Sequence, residues 1–328
     1  MTRTRFATTA SPHPSAPPGR GRRALRAVAV ASCVPYLTLK TAWIAGSRIG
    51  IPEGSSLLDH RTTMAVANGV TVLMDCVVVV LALLLTQSWG RRVPAGLLLV
   101  PMWAACGLLL PITVGFPVQS AVKAVTGSGV ADGAEGFLDG WVFGVVYTGF
   151  ILQGLSLAGL FVPYARERWS RVWRGRVADL PAAGPVIRVT AAAAAVLGSF
   201  PAVVRLLWAL GSTVGLPADR TAHHTADFHI LEGLSTLYVA AAVTGVLVLA
   251  FRPRRAGATA VKFPLALGWL GSGVVGCWGG WLLIAVLMSG VEGAEGPTVL
   301  MVLTYAVGMI TGLLLAAGTV SFLRERAA

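Results

Sequence analysis

Four charged side chains fall inside otherwise apolar stretches of this sequence: Lys40, Asp75, Arg205 and Glu232. A charge at the centre of a membrane-crossing helix costs about 2.5–3.5 kcal/mol on insertion scales, so such residues mark function or a paired partner. Lys40 and Arg205 each stand seven residues before the serine of a Gly-Ser pair, Gly46-Ser47 and Gly211-Ser212. At 1.5 Å per residue this places each cation roughly 10 Å inside the end of its helix. Two readings are open. The cations face a central cavity and bind an anionic or carbonyl group, or they are structural, snorkelling to the headgroups or held in ion pairs. Asp75 and Glu232 each lie on the next helix, which runs antiparallel, so the expected pairs are Lys40–Asp75 and Arg205–Glu232. The two acids are not equivalent in position: 164 residues before Glu232 stands Asn68, not Asp75. That asymmetry fits either a proton-relay acid at Asp75 or drift around a structural pair.

Histidine forms a second cluster. His60, His223, His224 and His229 all follow the first helix of a half, and His13 lies near the N-terminus. The run His223-His224-x-x-Asp227-x-His229-x-x-Glu232 has ligand types suited to a divalent metal. On a helix, His229 with Glu232 and His224 with Asp227 would share faces. The spacing matches no strict metal motif, and a polar loop that contains histidine explains it equally. No histidine sits at mid-membrane depth to ligate a haem. Cys33, Cys76, Cys106 and Cys277 fall in apolar runs without a CxxC pair, which predicts buried thiols rather than disulfides or a zinc site. No cofactor is implied. The sequence has no Walker motif, GxSxG or HExxH, which excludes ATP-driven transport by this chain alone and leaves no catalytic motif.

The elements that position these residues follow from composition. Of 328 residues 55% are hydrophobic and only 12% charged, against about a quarter charged in soluble domains. The bilayer is therefore the expected main solvent and partner. A hydrocarbon core of ~30 Å needs about 20 apolar residues per helix, and eight segments qualify: 25–47, 64–86, 95–116, 139–163, 190–211, 229–250, 263–288 and 298–323. The net charge of +12 is dispersed over short loops, which indicates membrane topology and not nucleic-acid binding. With the N-terminus inside, the inner segments carry 20 of the 26 Lys and Arg and the outer loops four. The expectation is a plasma (inner) membrane protein with both termini cytoplasmic. Arg166, Arg168, Arg171, Arg174 and Arg176 in the connector are spaced to meet anionic lipid headgroups. Tryptophans at the span ends suit interfacial belts, and the glycine series from Gly268 to Gly280 predicts a buried seventh helix.

Residues 1–24, rich in Pro, Ser, Thr and Arg, are expected to be a disordered basic cytoplasmic tail. Val30-Ala31-Ser32-Cys33 resembles a lipoprotein box, but too few apolar residues separate Arg26 from Cys33, and the apolar run continues past it. The same argument sets aside a twin-arginine signal at Arg22-Arg23.

An internal repeat organises the rest. Residues 40–52 read KTAWIAGSRIGIP and residues 205–217 read RLLWALGSTVGLP, with a cation, Trp, Gly-Ser, Gly and Pro at identical spacing. Pro35 and Pro201 precede the blocks, Trp103 matches Trp269, and Gly-Ala-Glu-Gly recurs at 133–136 and 293–296. Ordered matches at offsets of 160–166 indicate duplication. Four spans per unit give both units the same orientation, a parallel repeat. The expected fold is all-α and polytopic: repeat 1 over 25–163, a basic connector over 164–189, repeat 2 over 190–323, and a short C-terminus over 324–328. The Trp43–Ser47 and Trp208–Ser212 blocks resemble the W-A-x-G-G motif near the first helix of small four-span actinobacterial membrane proteins. Ser47 and Ser212 stand where that motif has its second glycine. The resemblance implies an architecture and no chemistry.

Three functional expectations follow. The first is a permease-like or solute-binding protein with a cavity between the repeats. The second is a non-catalytic scaffold or subunit of a larger membrane complex. The third is an enzyme acting at the outer leaflet through the histidine loop.

Overall fold

A computed structural model describes residues 19–53, 55, 61–126, 138–218, 221, 225–291 and 296–327. His13, His60, His223, His224 and both Gly-Ala-Glu segments of the repeated string lie outside the described residues. Eight helices are long and apolar enough to cross a membrane: α1 (Arg20–Ile44), α2 (Arg61–Leu84), α3 (Ala95–Thr126), α4 (Gly140–Trp169), α5 (Pro185–Ala209), α6 (Ala226–Phe251), α7 (Lys262–Val291) and α8 (Val299–Ala327). Among the described residues there is no strand, only an isolated antiparallel bridge between Arg176 and Ala260. Eight antiparallel spans return the chain to the end at which it began. We call that end the terminal face and the opposite end the hairpin face.

Several boundaries differ from the apolar windows, for a common reason. Hydropathy marks the part of a helix that hydrocarbon solvates, whereas backbone hydrogen bonding carries the helix on into the headgroup zone. Thus α1 begins at Arg20, inside the segment expected to be tail. Its basic first turn, unfavourable beside the positive end of the helix dipole, is offset by an ion pair from Arg22 to Glu167 on α4. Glu167 also accepts from Arg91 Nη2 at 3.0 Å. Likewise α3 runs on to Thr126, which brings Lys123 to the first turn of α6, and the connector shrinks to the residues between Trp169 and Pro185.

The repeated block folds into the same local structure twice. Helix α1 ends in a Schellman motif: Gly46 takes φ +94°, its N–H donates to the Trp43 carbonyl at 3.0 Å, and the Ser47 N–H donates to Ala42 at 2.8 Å. Helix α5 ends identically, with Gly211 at φ +96°, Gly211 N–H to Trp208 at 3.1 Å and Ser212 N–H to Leu207 at 2.9 Å. A turn with a positive-φ glycine follows each, at Gly50 and Gly215, both +74°, closed by Ile51 N–H to Arg48 and Leu216 N–H to Thr213, each at 3.0 Å. Glycine at the third turn position is what a type II turn requires. The indole N–H of each tryptophan then donates across this turn, Trp43 to Ile49 O at 2.7 Å and Trp208 to Val214 O at 2.9 Å. Each turn docks on the start of the last helix of its half: the Asp139 N–H donates to Gly50 O at 2.9 Å, and Thr298 Oγ1 donates to Gly215 O.

Each half also has its own apolar core toward the terminal face. In the first, Ala29 and Cys33 meet Leu81, Met102, Leu157 and Leu160. In the second, Ile187 and Ala194 meet Ala242, Val246, Leu315 and Phe322. The halves join along α3 and α7. Gly107 and Gly273 are 166 residues apart, and they touch each other: a Cβ on Gly107 would overlap the Gly273 backbone. Helix α7 is the most enclosed span, because Gly245 on α6 and Gly276 with Gly312 at the α8 contact admit backbones too close for any side chain. Two tryptophans serve the seam and not an interfacial belt. Trp103 Nε1 donates to Ser272 Oγ at 3.0 Å and Trp278 Nε1 to Leu108 O at 3.2 Å, both across the α3–α7 seam. Nor are the thiols uniformly buried: all four are free, but Cys76 is exposed.

At the terminal face the connector arginines are not all free to meet lipid. Arg168 donates to Val93 O at 2.7 Å and to the Tyr164 hydroxyl at 2.6 Å, clamping the α2–α3 turn, while Arg166, Arg171, Arg174 and Arg176 remain exposed.

Overpacking a close helix contact costs about 1–3 kcal/mol. Gly107→Ala should therefore lower the melting temperature of purified protein clearly, whereas Gly69→Ala on α2, where an added Cβ meets nothing within 4 Å, should leave it unchanged or raise it slightly.

Candidate functional site

The two intramembrane cations sit at matching places in their halves and meet matching positions on the next helix. Arg205, on α5, is 7% exposed and pairs with Glu232 on α6, which is 6% exposed, through Nη1 to Oε2 at 2.8 Å. Its guanidinium also lies over the Tyr305 ring of α8, 5.3 Å from the centroid. The expected Arg205–Glu232 pair is thus present. Lys40, on α1, donates to Asn68 Oδ1 on α2 at 2.8 Å and lies over the rings of Tyr36 and Trp43, at 5.0 and 4.9 Å from their centroids. Its ammonium has three donors, and an amide oxygen and two π faces receive them.

The expected Lys40–Asp75 pair is not formed; these two residues make no ion pair. Asn68 takes the acid's place, at the position matching Glu232, and Asp75 lies about two turns further along α2. There, at 3% exposure, it accepts a hydrogen bond from Gln153 Nε2 of α4 at 3.4 Å.

A cavity of about 280 Å³ opens between the halves toward the hairpin face. Pro111, Ile112, Phe116 and Gln119 of α3 and Tyr147 of α4 form one wall. The others come from α5 to α8, including Arg205, Glu232, Tyr238, Trp278 and Tyr305. The lining is mainly apolar and aromatic, with polar groups from Arg205, Glu232, Gln119, Ser235 and the tyrosines. The Tyr238 hydroxyl is buried without a hydrogen-bond partner. Of the two cations, Arg205 reaches this cavity and Lys40 is not among its lining residues, which corrects the reading in which both face one central space. Each cation is held inside its own half by a partner on the adjacent helix.

The histidine run divides when folded. Asp227 pairs with Lys123 of α3 at 2.6 Å, and Gln119 Nε2 donates to the Asp227 carbonyl at 3.4 Å. His229, two residues on, turns to α5, with Nδ1 3.0 Å from the Trp208 carbonyl. Protonated on Nδ1, it donates to the C-terminal carbonyls of α5, where the helix dipole favours a donor or a positive charge. Asp227 and His229 therefore serve different neighbours, and among the described residues no three His, Cys, Asp or Glu side chains converge as metal ligands. His223 and His224, the other half of that expectation, lie outside the described residues.

Sequence reasoning passed over Gln119, Tyr147, Gln153 and Tyr238. The available signal was the amide: Gln119 and Gln153 are uncharged polar residues in apolar helices, and side-chain amides in a span need partners as charges do. No family model, curated protein or solved structure matches the chain.

Removing one partner of a buried ion pair leaves an uncompensated charge and costs about 3–5 kcal/mol, whereas replacing both by apolar residues of similar volume is often near neutral. Glu232→Ala should accordingly reduce thermal stability more than the double variant Arg205→Met/Glu232→Leu. Equal losses in the two proteins would mean that the pair carries no unbalanced charge.

Proposed function

We propose that the chain is a permease-like or solute-binding integral membrane protein, built as two parallel four-helix repeats that hold a small amphipathic solute between them. The observation that carries this reading is the cavity walled by both halves, apolar over most of its surface, with the buried Arg205–Glu232 pair in its lining. A guanidinium has five donors. One is committed to Glu232, and others remain for a carboxylate or carbonyl on a ligand whose body packs on Phe116, Trp278 and Tyr305. Ligand sites of this kind, apolar with a few convergent polar groups, are the usual form for small molecules.

The duplication draws support from the doubled Schellman-and-turn structure and from the reciprocal Gly107–Gly273 contact, and each half has a block that resembles the W-A-x-G-G motif of the small four-span proteins. The basic residues gather on the terminal face, and by the positive-inside rule that face is cytoplasmic, in the plasma membrane of the cell. The exposed Arg166, Arg171, Arg174 and Arg176 are then placed to meet anionic headgroups. A scaffold role gains from the internal pairing of Arg205 with Glu232, but it gives no reason for an aromatic-lined space at the seam.

The test is thermal stabilisation of purified protein by a panel of small amphipathic anions and carbonyl compounds. A stabilising compound should lose its effect in Arg205→Ala by at least tenfold in apparent affinity and keep it in Lys40→Ala, since Lys40 lies outside the cavity. Stabilisation that survives unchanged in Arg205→Ala overturns this reading.

A further inference from the structure

The first half contains a buried polar cluster that the cavity does not use. Asp75 of α2 is 3% exposed and Gln153 of α4 is 1% exposed. One hydrogen bond joins them, from Gln153 Nε2 to Asp75 Oδ1. The two remaining oxygens, Asp75 Oδ2 and Gln153 Oε1, are both buried and both lack a partner. Both are acceptors, so neither can satisfy the other unless a proton is added. A proton on Oδ2 would supply a donor, and the unpartnered buried acceptor Gln153 Oε1 belongs to the residue already bonded to the same carboxyl.

The surroundings offer an ionised Asp75 little. From α1, Cys33, Tyr36 and Lys40 lie within electrostatic reach. The Lys40 ammonium, however, is committed to Asn68 and to two aromatic rings and forms no ion pair with Asp75. From α4 comes neutral Gln153, with Tyr147 facing Tyr36. Cys76 and Thr71 share α2 with Asp75. The one charged residue of α3, Lys123, is paired with Asp227. A metal cation fits poorly, because hard cations take about six or more oxygens and this cluster offers two unpartnered acceptors. An unpaired carboxylate in so apolar a setting is far costlier than a neutral acid.

We infer that Asp75 and Gln153 form a buried proton-binding site, with the Asp75 carboxyl held as the neutral acid and its Oδ2 proton donated to Gln153 Oε1. The site is separate from the Arg205–Glu232 pair, in which the guanidinium and the carboxylate are each other's partner. It stands or falls independently of any ligand in the cavity.

The experiment is difference infrared spectroscopy on the full chain in lipid nanodiscs, in H2O and D2O at neutral pH. A protonated-carboxyl C=O band should appear, shift on deuteration and vanish in Asp75→Asn. In Gln153→Leu it should move in frequency through loss of the amide partner. Asp75→Asn is isosteric and neutral, so it should keep the wild-type melting temperature, whereas Glu232→Gln, which discharges a real ion pair, should not. Absence of an Asp75-dependent acid band overturns the inference. So does a melting temperature that rises with sodium over choline in the wild type and not in Asp75→Asn, since that would make the ligand a metal cation. A loss of stability in Asp75→Asn equal to that in Glu232→Gln overturns it as well, because it would show that Asp75 is charged.

Discussion

Hydrocarbon supplies no hydrogen bonds and little dielectric screening, and every polar side chain within the spans has to answer that constraint. In the second half Arg205 answers it with a carboxylate on the neighbouring helix and an aromatic ring beyond. In the first half Lys40 answers it with an amide and two rings. Both solutions place the partner at the same register on the following helix, because two antiparallel helices that pack side by side bring only a few positions within reach of a cation one third of the way down. The backbone meets the same demand at the helix ends. The Schellman motifs after α1 and α5 match carbonyls that the last turns leave open, and a tryptophan N–H takes a carbonyl of the turn that follows.

The difference between the halves is as informative as their likeness. An acid stands opposite Arg205, and an amide stands opposite Lys40. A second acid, Asp75, appears deeper in the first half with its own amide. The cavity follows this asymmetry, since it opens beside the ion pair and not beside Lys40. On the seam Trp103 has a hydroxyl partner in Ser272, while Trp269, at the matching position, has a buried N–H with no partner; Cys106 stands where reciprocity would place a hydroxyl.

Much of the fold was legible in the residues. Spans longer than the bilayer core, the cation seven residues from Gly-Ser and the glycine series of α7 all act through local physics: the length of a helix, the freedom of a residue without a Cβ, the cost of a charge. The Arg205–Glu232 pair was legible for the same reason, since an acid and a base on adjacent antiparallel helices at similar depth have few other partners. Lys40–Asp75 was misread. Asn68 and Asp75, seven residues apart, lie on nearly the same face of α2 but about two turns apart in depth, and the ammonium meets the amide, with the acid left to Gln153.

By itself, then, the sequence determined eight apolar helices, the positive-φ glycines that end two of them, and the depth at which each charge lies. These depend on composition and on residues a few positions apart. Only the tertiary structure decided that α3 runs far enough to give Lys123 to Asp227, that Gly107 meets Gly273 at the seam, that Arg205 and not Lys40 borders the cavity, and that Asp75 shares its burial with Gln153. Each of these joins residues dozens to well over a hundred positions apart, and their meeting depends on how helix faces are turned toward one another. In an apolar solvent hydropathy is nearly uniform around a helix and does not specify that rotation. Close glycine contacts and the few polar pairs do.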